Sequence, residues 1–396
     1  MKAPAKIRRR VAGVSLIELM IAMVIGLIIM LGVVQVFSAS RTAYQLSEGL
    51  ARVQENSRFA MDTLQRELRM AGHFGCVNDQ AHQLSTPSRQ YTTLTAAAHP
   101  ALDFARSIQG YEAGGTGPGG TFTLQRTPAV GGTDYSPVLP AEIAAATRNR
   151  IAGSDIVTLR YLMPDGVPIT AVEGTLDKPV FRFDATRMDV LRSGVPAPGL
   201  FGVADCLSAT TFQARSVDGA AGRITFDEAP NNGTSFTSLY TSGQAMLHRA
   251  ESIVFYVGRD ADTGLTSLYR VRFAAGPNGA LAAGAPEAMV EGVENMQLLY
   301  GQDRRFNATA PSGFIDRQGT ATDIETSLTD PAAAWRRVGA VQLGLVMSSP
   351  DPAAARQADG QAALTSLGVT FTAPDDRRMR AVYQSTIAIR NRLFGN

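Results

Sequence analysis

The chain has 396 residues, 45% hydrophobic and 7% aromatic, a composition that fills a sizeable core and excludes an intrinsically disordered polypeptide. Its formal charge is +2, from 37 basic and 35 acidic residues. Five of the basic ones (Lys2, Lys6, Arg8, Arg9 and Arg10) precede residue 14; without them 32 basic residues face 35 acidic ones, a net of −3, which argues against a nucleic-acid surface.

From Val14 to Phe37 the chain is almost wholly apolar, interrupted by Ser15, Gly26, Gly32, Gln35 and one carboxylate, Glu18. Twenty-four helical residues span about 36 Å, enough to cross a bilayer core. The basic flank stays in the cytoplasm, so everything after residue 40 is expected outside. Glu18 is the anomaly, because an acid at the centre of a membrane helix costs about 2.5–3.5 kcal/mol, and less near an end. Ser15-Leu16-Ile17-Glu18 fits the capping box S-x-x-E, and an acid there also suits the positive end of the helix dipole. That account leaves Gly13, behind the cluster Arg8-Arg9-Arg10, unexplained. A plain signal anchor is the alternative; an ordinary secretory signal is disfavoured by the long apolar run and the lack of an A-x-A site.

Gly13-Val14-Ser15-Leu16-Ile17-Glu18-Leu19-Met20-Ile21 resembles the type IV prepilin signal. There a leader ends in Gly, an apolar residue follows, and Glu stands fifth in the processed chain; the family usually has Phe where this chain has Val14. The resemblance implies cutting between Gly13 and Val14 by a membrane aspartyl peptidase, the prepilin peptidase, on the cytoplasmic face. It also implies N-methylation of Val14 and an assembly role for Glu18, paired with the freed amine of a neighbouring subunit. Within a helical bundle such pairing offsets the desolvation that makes a lone carboxylate expensive.

Helical periodicity continues past the apolar run. Leu46, Leu50, Val53, Ala60, Leu64, Leu68 and Ala71 follow the three-four spacing of one face, with Arg41, Arg52, Glu55, Arg58, Asp62, Arg66 and Arg69 on much of the rest. No Pro occurs between Val14 and Thr86. One helix from about 15 to 71 is expected, roughly 85 Å long, capped by Gly72 and unkinked at Gln35. Cys76 and Cys206 are the only cysteines, and in an oxidising compartment one Cys76–Cys206 disulfide is the economical reading. Closing a loop of about 130 residues contributes ~5 kcal/mol in the chain-entropy model, as an upper figure.

After the helix, residues 78–150 read as irregular and rich in Thr, Gly, Ala and Pro. Strands are predicted at 155–162, 180–183 and 223–226. A hairpin joins 252–257 to 267–273 across a turn at Asp260–Gly264, and further strands are expected at 288–300, 338–347 and 381–390. Residues 302–333 and 349–379 read as loops. Helix first and antiparallel sheet after gives an α+β, pilin-like fold with long loop insertions. The expected organisation is a leader over 1–13, a transmembrane and assembly helix over 14–40, its amphipathic continuation over 41–76, and a β-rich head over 77–396.

Further stretches resemble the PilW family of large minor pilins. They are Gln54-Glu55-Asn56-Ser57-Arg58-Phe59-Ala60, Arg66-Glu67-Leu68-Arg69-Met70-Ala71-Gly72, Gly75-Cys76, Gly153-Ser154-Asp155-Ile156-Val157 and Leu191-Arg192-Ser193-Gly194. Ala204-Asp205-Cys206, Val290-Glu291-Gly292-Val293-Glu294-Asn295-Met296 and Ile389-Arg390-Asn391-Arg392 complete the set. The resemblance implies a structural subunit of the type IV pilus, anchored in the inner membrane with its head in the periplasm and then incorporated into the fibre. Implied partners are the prepilin peptidase, other minor pilins, the major pilin, a large tip adhesin and the inner-membrane assembly platform, with twitching motility, adhesion and DNA uptake downstream. A head of this bulk suits the tip or base of a slender fibre. The alternatives are a minor pseudopilin of type II secretion and a membrane-anchored periplasmic enzyme or binding module.

Motifs for other chemistry are weak. Gly115, Gly117 and Gly120 formally satisfy G-x-G-x-x-G, but Pro118 removes an amide and Thr121-Phe122-Thr123-Leu124 reads as strand where a dinucleotide site needs a helix. Asp260-Ala261-Asp262-Thr263-Gly264 resembles the opening of a calcium loop but lacks the later carboxylates, so a turn is expected. Of His73, His82, His99 and His248, only His73 with Cys76 has metal-like spacing. Acidic pairs such as Asp375-Asp376 are expected on the solvated surface. No catalytic, cofactor, metal or small-molecule site is expected.

Overall fold

The computed structural model describes residues 13–78, 90–227, 229–237, 240–303, 314–352, 364–389 and 391. The basic leader residues, His82, Arg390 and Arg392 lie outside them, as do parts of the three segments read as loops. Helix α1 runs without a break over Leu16–Met70, about 82 Å at ~1.5 Å per residue. Ala71 caps it, its N–H reaching the Leu68 carbonyl. Gly72 follows with φ +75°, the left-handed position just outside a helix end where a Cβ would be strained.

Twelve strands carry the head: β1 (Ile108–Ala113), β2 (Ile156–Leu162), β3 (Val167–Gly174), β4 (Pro179–Phe183), β5 (Leu200–Ala204), β6 (Ala209–Gln213), β7 (Met246–Arg259), β8 (Thr266–Ala274), β9 (Glu287–Glu291), β10 (Val293–Gln302), β11 (Val338–Pro352) and β12 (Arg378–Ala388). The spine of the larger sheet is β7. Its first residues pair with β5 and β3, its later ones with β2 and β8. A smaller antiparallel sheet runs from the short strand Arg317–Gly319 through β10 and β11 to β12.

The chain passes from one sheet to the other at Gly292. Its N–H donates to the Thr266 carbonyl and its carbonyl accepts from the Ser348 N–H. With φ +86°, a Cβ there would stand 2.5 Å from the Ser348 oxygen, so a side chain at this crossing would break it. The main core fills the space between α1 and both sheets, joining Leu64 and Leu68 to Leu159, Phe255, Leu343 and Trp335. A second core, centred on Phe181, Phe212 and Phe236 with ring centroids 5.3–5.6 Å apart, lies under β3, β4, β5 and β6.

The predicted strands at 155–162, 180–183, 223–226, 252–257, 267–273 and 338–347 all correspond to observed ones. Three segments read as loops hold regular structure. Residues 78–150 contain β1, the short strands Gln90–Thr92, Thr121–Thr123 and Tyr135–Ser136, and the helix Ala141–Ala146. Residues 302–333 contain Arg317–Gly319 and the helices Ala321–Glu325 and Pro331–Arg336; residues 349–379 contain the end of β11, Leu364–Ser366 and Val369–Thr372. Elements of two to six residues show too little periodicity to be read from pattern alone.

Candidate functional site

From Val14 to Arg41 the chain is exposed along its whole length, covered by none of the described residues. Every large apolar side chain from Val14 to Phe37 is exposed, Leu16 at 79% and Phe37 at 69%. At its start the capping box forms: the Ser15 N–H donates to Glu18 Oε2 at 3.0 Å, and the Glu18 N–H donates to Ser15 Oγ at 3.3 Å. Both bonds lie on the C-terminal side of the Gly13–Val14 junction, and neither uses the Val14 nitrogen. The carboxylate thus satisfies one orphan amide of the helix start and keeps further lone pairs for a cation.

Among the described residues, the head buries α1 only from Gly49 upward. Gly49, Val53, Ser57, Ala60, Met61, Leu64 and Leu68 are buried at three-four spacing, against β11 and β12 of the smaller sheet. Leu46 and Leu50 belong to the same apolar face but remain exposed, at 43% and 36%, because the sheet begins to cover α1 only near Gly49. Polar contacts lock this seat. The Tyr161 hydroxyl donates to Glu67 Oε2 at 2.6 Å, Gln65 Nε2 to Ser385 Oγ at 3.1 Å, and Asn56 Nδ2 to the Glu291 carbonyl at 3.0 Å. Asn391 Nδ2 donates to the Arg69 carbonyl at 3.0 Å, one of the last-turn carbonyls that have no partner within a helix. A cleft of about 500 Å³ opens below this seat, between α1 and the end of β11, lined by Thr42, Glu48, Arg52, Asp351 and Arg377.

Just past the helix, Cys76 and Cys206 form a disulfide with a Cα–Cα distance of 4.7 Å. His73 Nδ1 lies 2.7 Å from the Leu162 carbonyl, and His248 Nδ1 lies 2.8 Å from that of Met163. Burial lowers the pKa of His248. Among the described residues no three His, Cys, Asp or Glu side chains gather as a metal site. Asp260 Oδ1 accepts from the Asp262 and Thr263 N–H groups, an Asx turn that closes the β7–β8 hairpin. The glycine-rich loop at 114–120 leads into the strand Thr121–Thr123.

Sequence reading misplaced one acid and missed two others. Asp375 is exposed, but Asp376 is buried and accepts from both terminal nitrogens of Arg380 at 2.7 Å, while Arg380 also grips Glu294. Asp155 is buried where β1 meets β10, accepting from the Ala113 and Leu298 N–H groups at 2.9 and 2.8 Å. Burial raises its pKa although both donors pull the other way. Glu112 beside it is raised too, by burial first and then by Asp155 and Asp323.

Two family models match the chain. Residues 254–391 match the family described as Type IV Pilus-assembly protein W, and residues 8–34 match the prokaryotic N-terminal methylation motif. The matches are those of a PilW-family type IV pilin. The first covers most of the β7–β8 hairpin and the sheet that seats the helix; the second covers Arg8-Arg9-Arg10, the Gly13–Val14 junction and most of the apolar run. The resembling stretches at 54–60, 66–72, 75–76, 153–157, 191–194 and 204–206 fall outside both. No curated protein and no solved structure matches the chain. The apolar helix and the prepilin motif fit a pilin anchored in the inner membrane and incorporated into the pilus, which implies dealings with the prepilin peptidase and other pilus components.

Proposed function

We propose that this minor pilin helps to start the type IV pilus, joining other minor pilins through its exposed helix in a complex at the fibre tip. Its leader is cut between Gly13 and Val14, the new amine of Val14 becomes methylated, and Glu18 pairs with the terminal amine of a neighbouring subunit. The N-terminus faces the cytoplasm and the head, from residue 77 onward, faces the periplasm. Twitching motility, adhesion and DNA uptake follow from the fibre that this complex primes.

The observation that carries this reading is the pairing of an unpartnered apolar helix with one acid near its start. An apolar stripe that none of the described residues of its own chain covers belongs to lipid or to other helices, and Glu18 is retained in it despite the cost of an acid there. A Glu18→Ala variant should remain in the membrane at normal level yet fail to enter sheared pili. Normal piliation by that variant would defeat the reading. Loss of secreted enzymes with piliation intact, on deleting the gene, would point to type II secretion instead.

A further inference from the structure

The sheets of the head end in strands of very different length. Arg317–Gly319, Ser216–Asp218, Gln90–Thr92, Thr121–Thr123 and Leu364–Ser366 have three residues each, Tyr135–Ser136 and Ala282–Ala283 have two, and β9 has five. Short edges are the usual protection against unwanted strand pairing. The exception is β12, with 11 residues. It pairs with β11 on one side, and among the described residues no strand pairs with the other.

The phase of the ladder fixes which groups that free side presents. The Ile389 N–H donates to the Gly339 carbonyl, and the register sets Ala388 opposite Ala340 and Ile387 opposite Val341. Backbone groups alternate sides along an antiparallel strand. Residues 387, 385, 383 and 381 therefore bond to β11, while the N–H and C=O of Val382, Gln384, Thr386 and Ala388 point away from it. Charge offers no protection either. Arg380 is held by Glu294 and Asp376, and from Ala381 to Ala388 there is no charged side chain and no Pro, the devices that commonly blunt an edge. Gln384, Thr386 and Ala388 are exposed.

Direction matters as well. Arg377 lies by Glu48 and Arg52 at the lower cleft, Ser385 meets Gln65, and Asn391 reaches Arg69. So β12 rises alongside α1, away from the apolar end. A partner whose own helix lies beside this one can bring a descending strand alongside β12 in antiparallel register.

We propose that residues 382–388 of β12 are a strand-addition site, which takes one extended, uncharged segment from the head of a neighbouring pilin and extends the smaller sheet across the subunit boundary. The occupant is another pilin's strand rather than a second copy of β12, because two copies anchored in one membrane both present β12 rising. The inference rests on the assembly role proposed above.

Amide hydrogen exchange on the full-length protein, free in detergent micelles and within sheared pili, tests it. Val382, Gln384, Thr386 and Ala388 should exchange rapidly in the free chain and at least about tenfold more slowly in the assembly, whereas Tyr383 and Ser385 should be protected in both. Equal exchange of the four outward amides in the two states overturns the proposal. A Thr386→Pro variant gives a second arm, since Pro is tolerated on an edge where the lost N–H faced outward. It should melt like the parent protein and be lost from pili. If Thr386→Pro enters pili normally while Glu18→Ala does not, the edge is not a docking site and the assembly role stands; if both enter normally, both readings fall.

Discussion

The Tyr161 hydroxyl donates to the Glu67 carboxylate at 2.6 Å, joining β2 to the last turns of α1. The phenol is buried and its pKa is raised, by burial first and then by the charge of Glu67, so it stays a donor throughout the physiological range. A hydrogen bond to a charged group is worth more than a neutral one. Tyr161→Phe should cost about 1–2 kcal/mol, read as a lowered melting midpoint in micelles, and should raise the proteolytic sensitivity of the helix–head junction.

Leu64 and Leu46 share one apolar stripe yet have opposite surroundings. Leu64 is fully buried against the sheet and Leu46 is 43% exposed. Leu64→Ala should destabilise the head by about 2–5 kcal/mol, whereas Leu46→Ala should change its melting by less than about 0.5 kcal/mol. Similar losses from the two would contradict the seat described for the helix.

The disulfide closes a separation of 130 residues. Cys76→Ser should lower stability by about 2–5 kcal/mol, and dithiothreitol should lower the parent's melting temperature while leaving that of the variant unchanged.

Glu112 gives the head a pH dependence of unusual sign. Its folded pKa lies above the 4.5 of the exposed group, so the folded state holds the proton more tightly than the unfolded one. The associated stability is complete below about pH 4.5 and declines as pH rises through the elevated folded value. Glu112→Gln, which keeps the shape without the charge, should gain stability over the parent as pH goes from 5 to 9 in thermal melts. A difference that stays constant with pH would show that Glu112 is ionised in the folded head.

The helix, its capping box, the main hairpin and the buried strand β11 were legible because each carries an extended pattern: three-four spacing over α1, or a run at 338–347 that is apolar except for Gln342. The signal at Gly13–Glu18 was legible because a lone acid in an apolar run is conspicuous. β1 was not, since Ile108-Gln109-Gly110-Tyr111-Glu112-Ala113 buries Gln109 and Glu112 along with its apolar residues and so shows neither alternation nor an apolar run. The helices at 321–325 and 331–336 did leave local marks, namely Thr320 with Asp323 as a capping box and Asp330 before Pro331. Those marks sit in a polar segment whose only large apolar residues are Ile324, Leu328 and Trp335. Asp376 was misread because the Arg380 that holds it is buried together with Glu294, 86 residues away in the chain, a long-range cluster that local pattern does not show.

The bridge at Cys76 also fixes how the molecule bears load. Tension applied along α1 leaves it at Met70, and six residues later it meets a covalent branch to Cys206, in the turn between β5 and β6. From there β5 hands the force to β7 by lateral hydrogen bonds. The intervening 129 residues are thereby shielded from being drawn out one strand at a time, so an oxidised head pulled by its stem resists as one block.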